Sequence, residues 1–231
     1  MDIRILKAGE SGFGYLIEQD AGYISPMEPR NVNLLREFEN TKDHGDADSL
    51  IVYVVLQKFG VKNRNGRIYP EKILKTQNEI YQDAIRNRRA LGELDHPESS
   101  IISGDRISHN IIETWWEGHT LMGKMEIPMT KGYVNMGIVS TKGDLVAEYL
   151  RHKYMIGVSS RGVGSLEEHN GTFIVQDDFE LICWDIVTAP STPGSWMFRN
   201  RNEARPYVES YTKVNKSNLN EGLDKFLLDI L

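Results

Sequence analysis

Two segments of the chain and one isolated carboxylate carry side chains able to attack a carbonyl or move a proton. The first segment, Gly157 to Ser165 (GVSSRGVGS), sets two adjacent hydroxyls and a guanidinium between glycines, directly after the apolar run Tyr154 to Val158. A nucleotide P-loop needs two glycines at a fixed interval followed by Lys and a hydroxyl, and a dinucleotide loop needs three glycines opening a helix; neither spacing is present. The nucleophile elbow of the α/β-hydrolases fails as well, because Arg161 stands where its second glycine belongs. Two readings stay open: small residues at a strand end whose hydroxyls serve the backbone, or the seat of a nucleophile.

The second segment, Gly92 to Ser100 (GELDHPESS), presents His96 on a loop after a helix-forming stretch. Imidazole titrates near neutrality and can take a proton from a serine hydroxyl, then return it to a leaving group. A surface histidine bonded to its neighbours is the competing reading, and Asp95 beside it suits a solvated or capping role. A serine needs a base within reach, and that base is ordinarily oriented by a third polar group. Asp185 is the candidate for that group, since a carboxylate inside the apolar stretch Glu180 to Val187 is costly unless paired. Its alternative is a core carboxylate held by backbone or tyrosine hydroxyls. The six histidines show no metal-ligand spacing, so neither metal nor cofactor is expected. Trp115 and Trp116 read as packing residues rather than a base-stacking platform.

Composition narrows the setting. A chain of 231 residues can bury a substantial core, and a net charge of −6 argues against a nucleic-acid coat or adhesion to an anionic membrane. The single cysteine, Cys183, excludes an intrachain disulfide and suits a reducing compartment. No apolar run approaches the roughly 20 residues that span a bilayer, and the N-terminus lacks a secretory core, so an intracellular soluble protein is expected.

The elements that must position these groups are legible in outline. Residues 1–48 read as a partly flexible N-terminal extension ending in an acidic joint. Leu50 to Leu56 reads as a strand buried on both faces, and Asn65-Gly66 suits a tight reversal. Pro70 opens a helix reaching about Arg89. A hairpin is predicted over Ile107 to Trp116 and Leu121 to Ile127, a helix over Asp144 to Lys153, and strands over Thr172 to Gln176 and Phe179 to Val187. Residues 49–198 form the expected domain, and 199–231 a linker with a C-terminal amphipathic helix.

Five segments, in order, resemble the prohead core proteases (head-maturation proteases) of large tailed phages, relatives of herpesvirus assemblin: Asn63 to Leu74 (NRNGRIYPEKIL), Ala90 to Pro97 (ALGELDHP), Trp115 to Gly118 (WWEG), Gly157 to Leu166 (GVSSRGVGSL) and Trp184 to Ser191 (WDIVTAPS). The resemblance implies an α+β fold with a herpesvirus-protease-like β-barrel core and surrounding helices. It implies a serine endopeptidase with His96 as base and Ser159 as nucleophile, leaving Ser160 structural, and with Arg161 or the backbone around Gly162 stabilising the oxyanion. Herpesvirus relatives use a second His as third member; here Asp185 fits the corresponding late strand. The implied partners are prohead scaffold or core proteins and the major capsid protein, cut inside the prohead in the host cytoplasm, with no nucleic acid or membrane and with a homo-oligomeric enzyme.

The implied preference is cleavage after Glu with an aliphatic residue two positions earlier. That pattern occurs at Glu18, Glu37 and Glu221 in the tails, where autocleavage is expected, and also at Glu93, Glu113 and Glu168 in the domain. Cleavage after Glu221 would remove a docking or inhibitory C-terminal helix. The alternative is a catalytically inert, scaffold-associated assembly protein of the same fold.

Overall fold

The computed structural model describes residues 4–18, 49–198, 200, 202 and 203. Glu37, Glu221 and the expected C-terminal helix lie outside these residues. Along the chain run β1 (Ile5–Leu6), β2 (Gly12–Ile17), β3 (Ser49–Lys58), β4 (Arg67–Ile68), α1 (Glu71–Arg86), β5 (Leu91–Glu93), β6 (Ile107–Glu117), β7 (Thr120–Pro128), α2 (Lys131–Met136), α3 (Lys142–Arg151), β8 (Gly157–His169), β9 (Thr172–Val175), β10 (Glu180–Val187) and β11 (Met197–Phe198). No described helix is long and apolar enough to cross a membrane.

The strands make two sheets. One has the order β1-β2-β8-β9-β4 with β10 also paired to β8, and the other has the order β11-β3-β7-β6-β5. Single bridges, Leu94 to Ile186 and Gly157 to Trp196, join the sheets at two places. Among the described residues no continuous ladder closes them, so the α+β class is observed, but a closed barrel is not.

The alternating and apolar runs explain the larger elements. Leu50, Val52, Val54 and Leu56 of β3, Leu121, Met125 and Ile127 of β7, and Trp184 and Ile186 of β10 share one core with Val146, Ala147 and Leu150 of α3. Tyr81 of α1 meets Trp184 edge-on at 4.8 Å between ring centroids, fixing the helix over β10. The helix starts after Pro70, whose fixed φ suits the entry, and ends at Asn87 before Arg88, which turns at φ 53°. α3 begins two residues earlier than expected because Thr141 and Asp144 form a reciprocal capping box.

Two segments depart from the sequence expectation. Residues 5–17, placed in an extension by their irregular composition, supply β1 and β2 to the first sheet. Leu6 and Leu16 are buried there with Tyr69, Leu166 and Phe179, and each fully buried leucine contributes about 1.5–3 kcal/mol, enough to retain a short strand. The GVSSRGVGS stretch, open to a strand-end reading, forms the first nine residues of the 13-residue β8. Its glycines serve close packing: a Cβ on Gly162 would lie 2.4 Å from the Phe179 ring.

Candidate active site

β8 and β10 run antiparallel, with Ser159 directly opposite Asp185 and Arg161 opposite Cys183. Opposed side chains in such a pair lie on one face about 4.5–5.5 Å apart at Cβ. The pleat therefore puts Ser159, Arg161 and Asp185 side by side and turns Ser160 to the opposite face.

His96 reaches this face from the second sheet. β5 leads into Leu94, which bridges Ile186, and the Asp95 N–H donates to the Ile186 carbonyl at 2.8 Å. Asp95 then adopts φ 65°, a left-handed turn that Asp tolerates better than most residues. The chain is thus redirected beside β10, and His96 Nδ1 stands 2.7 Å from Asp185 Oδ2 with its side chain buried. The imidazole Nε2 is also buried and has no hydrogen-bond partner among the described residues. With the Nδ1–H donated to the carboxylate, Nε2 carries the lone pair that can accept a proton.

Asp185 is fully buried and heavily braced. The Glu93 N–H donates to Oδ1 at 2.9 Å, Arg161 Nε to Oδ2 at 2.9 Å, Arg161 Nη2 to Oδ1 at 3.2 Å, and the Cys183 thiol to Oδ1 at 3.3 Å. Burial pushes its pKa up, but the hydrogen bond and charge of His96 and the charge of Arg161 outweigh it, so the carboxyl lies below its ordinary range. Arg161 in turn donates to Glu93 Oε2 at 2.6 Å and to the Ser99 carbonyl at 2.6 Å. One buried guanidinium thus ties together two carboxylates and the loop that follows His96.

Ser159 is buried, and its hydroxyl donates to the carbonyl oxygen of Glu18, just beyond the end of β2. The Ser191 N–H donates to the same oxygen at 3.1 Å. β2 lies antiparallel along β8, with Leu16 opposite Gly162 and Ile17 opposite Arg161, and the Glu18 N–H continues the ladder to the Ser160 carbonyl at 3.2 Å. The Glu18 side chain enters a closed polar pocket. Its Oε1 accepts from Arg67 Nη1 at 2.7 Å and Tyr69 OH at 2.6 Å, and its Oε2 from Asn63 Nδ2 at 2.7 Å, Asn65 Nδ2 at 2.8 Å and Ser191 Oγ at 2.9 Å. Burial raises the Glu18 pKa, but the Arg67 charge and these hydrogen bonds more than offset it and lower it overall. Burial, with Glu18 alongside, pushes the Tyr69 phenol well up, so it remains a donor.

The structure thus brings His96, Ser159, Asp185, Arg161 and Glu18 into one place. The Arg161 guanidinium faces Asp185 and Glu93, and Gly162 lies within the sheet opposite Leu16 and Leu181. Neither contacts the Glu18 carbonyl that Ser159 and Ser191 address. Sequence reading did not single out Glu93, Ser191 or the set Asn63, Asn65, Arg67 and Tyr69 as site residues. The alternate spacing of that set was the available signal, obscured by the turn chemistry of Asn65-Gly66. Among the described residues no group of three or more His, Cys, Asp or Glu is arranged to hold a metal ion.

A hydroxyl and an N–H that meet on one carbonyl oxygen, beside an imidazole on a braced carboxylate, are groups of the kind that acyl transfer uses. The comparisons agree with this class. The sequence pattern of the family described as prohead core protein serine protease matches residues 13–204, and the chain belongs to that family. It is 33% identical over 164 residues to the prohead core protein protease of Enterobacteria phage T4, covering 70% of this chain and 74% of that protein. Its structure is similar to that of the bacteriophage T4 capsid assembly protease, gp21, with a TM-score of 0.56 and 29% identity over 62% of this chain and 84% of that one. The protein is a protease of phage capsid maturation.

Proposed function

We propose that the chain is a serine endopeptidase of the prohead, with Ser159 as nucleophile, His96 as general base and acid, and Asp185 orienting His96. The observation that carries this reading is the opposition of Ser159 and Asp185 across β8 and β10 with His96 Nδ1 bonded to Asp185. Ser159 Oγ attacks the carbonyl carbon while His96 Nε2 takes its proton. The carbonyl becomes an oxyanion facing the Ser191 N–H. Collapse breaks the C–N bond, His96 returns the proton to the leaving amine, and an acyl-serine ester remains. Water, deprotonated by the same imidazole, attacks the ester, releasing the new carboxylate and restoring the serine hydroxyl.

In this reading Arg161 is a positioning residue for Asp185 and Glu93, and the backbone N–H of Ser191 takes the oxyanion role. The two bridges joining the sheets support a barrel-like core of the herpesvirus-protease kind. The substrates are prohead scaffold or core proteins and the major capsid protein, processed inside the prohead. The chain also cuts itself, after Glu with an aliphatic residue two positions earlier, at Glu18, Glu37 and Glu221.

Intact mass of the purified full-length chain over time, beside Ser159→Ala and His96→Ala, tests this. Fragments ending at Glu18, Glu37 or Glu221 from the wild type alone, with or without chelator, are expected. Equal fragmentation in Ser159→Ala, or its suppression by chelator alone, overturns the assignment.

A further inference from the structure

The segment Asn63 to Pro70 is absorbed by none of the chemistry above, yet four of its side chains at alternate positions converge on one buried carboxylate. Asn63, Asn65, Arg67 and Tyr69 all donate to Glu18, and Ser191 completes the set. The pocket is a built recognition site: Arg67 and Tyr69 are themselves almost wholly buried, and the Asn63 side-chain oxygen is fixed by the N–H groups of Asn65 and Arg67, each at 3.0 Å. The Asn63 amide is thus oriented by backbone contacts that do not involve the carboxylate.

Two features distinguish this from a structural ion pair. The residue whose side chain fills the pocket is the same one whose carbonyl receives the Ser159 hydroxyl and the Ser191 N–H. Ser191 addresses both ends of Glu18, through its N–H to the carbonyl and through its hydroxyl to the carboxylate. Recognition of the side chain and polarisation of the bond are therefore registered by one residue. Leu16, two positions earlier and on the same face, is fully buried with Tyr69, Leu166 and Phe179. Ile17 between them is only half-buried. The strand from Leu16 to Glu18 thus lies along β8 in the pose of an extended substrate, the mode in which a peptide adds to a sheet and places alternate side chains in pockets.

We propose that Asn63, Asn65, Arg67, Tyr69 and Ser191 form the specificity pocket for a glutamate side chain on the acyl side of the scissile bond. Glu18 fills this pocket in cis, so the chain's own N-terminal strand competes with substrate peptides. This rests on the serine-endopeptidase reading for the position of the scissile bond. The chemistry of the pocket selects a carboxylate at glutamate length. Glutamine would oppose its amide N–H₂ to donors that need an acceptor. Aspartate, shorter by one bond of about 1.5 Å, would leave them unmatched.

The test separates binding from cleavage. In a full-length Ser159→Ala background, affinity is measured for a fluorescent peptide containing Leu-Ile-Glu and for its Gln and Asp counterparts, with and without Glu18→Gln. The Glu peptide is expected to bind at least tenfold more tightly once Glu18→Gln weakens the cis occupant, and Arg67→Met in that same background should abolish the gain. Circular dichroism establishes that each variant is folded. If Arg67→Met does not fold, Asn65→Ala, which removes one donor and no charge, is expected to cut affinity about tenfold or more. Equal binding of Glu and Gln peptides, or equal affinity with and without Glu18→Gln when both proteins are folded, overturns the proposal. These outcomes stand apart from the mechanism: binding selectivity without any cleavage by the protein that retains Ser159 would refute the serine-endopeptidase reading at Ser159 and keep the pocket as a glutamate-binding site.

Discussion

Arg161 Nη2 stands 2.6 Å from Glu93 Oε2 while its Nε holds Asp185 at 2.9 Å, and all three side chains are fully buried. The guanidinium joins β8 to β5 and β10, the strands on which Ser159, the His96 loop and Asp185 ride. Taking charges out of water is repaid only when each is paired and hydrogen-bonded, so the cluster is sensitive to loss of any member.

Arg161→Met is therefore expected to destabilise the protein by about 3–5 kcal/mol, because two carboxylates lose their counter-charge in the interior. Urea unfolding of the Ser159→Ala background, which removes self-cleavage, measures this. Addition of Glu93→Gln to Arg161→Met should recover part of the loss; a double mutant no more stable than the single would show that Glu93 is not the burdened partner.

Asp185→Asn is expected to lower kcat on a Leu-Ile-Glu peptide by about 10⁴-fold with little change in KM, since it removes the acceptor that orients the His96 Nδ1–H but leaves the peptide cleft intact. Steady-state kinetics on the folded variant gives the split. A rise in KM with kcat preserved would mean that Asp185 serves binding rather than the reaction.

Acid should weaken the fold from a specific source. Burial pushes the His109 pKa down from 6.5 to about 4, partly opposed by the Asp185 charge and the Trp184 carbonyl that its Nε2 contacts at 2.9 Å. A folded-state pKa below the unfolded one means that the unfolded chain binds the proton first. Stability is then complete above about 6.5 and falls as pH drops toward about 4, by roughly 1.4 kcal/mol per unit. Asp185 and Glu18, whose carboxyl pKa values are lowered, add a further loss at still lower pH, because their contribution disappears as they protonate. Urea titrations at a series of pH values in His109→Gln should show the loss between 6.5 and 4 reduced and the lower limb retained.

Gly92→Ala is expected to cost about 1–3 kcal/mol or more and to depress activity together with stability. A Cβ there would lie 2.2 Å from the Trp184 carbonyl and 2.4 Å from His109 Cε1, forcing β5 away from β10 and displacing Glu93 and the loop to His96. Thermal unfolding and peptide cleavage measured side by side check this; a variant with wild-type stability and activity would show that β5 can shift without loss.

The sequence by itself determined the elements whose signals are local. The apolar run at β3, the β6–β7 hairpin, the Pro70 start of α1 and the strand around Asp185 were all legible from period, turn residues and caps. It also singled out His96 and Asp185, an imidazole on a loop and a carboxylate out of place in an apolar run, whereas the choice of Ser159 over its neighbour Ser160 came from the resemblance to the prohead core proteases. Tertiary structure alone decided what stands between them. The Ser159 to Asp185 register depends on the β8–β10 pairing, and Arg161 took a place beside Asp185 because the pleat returns it to the same face. The Glu18 pocket was least legible. Its partners are 45 to 173 residues away along the chain, and they meet only because β2, whose own sequence is irregular, is held on β8 by the burial of Leu6 and Leu16. Hydrogen bonds across such separations leave no periodic trace in either segment, so only packing of the two sheets could reveal them.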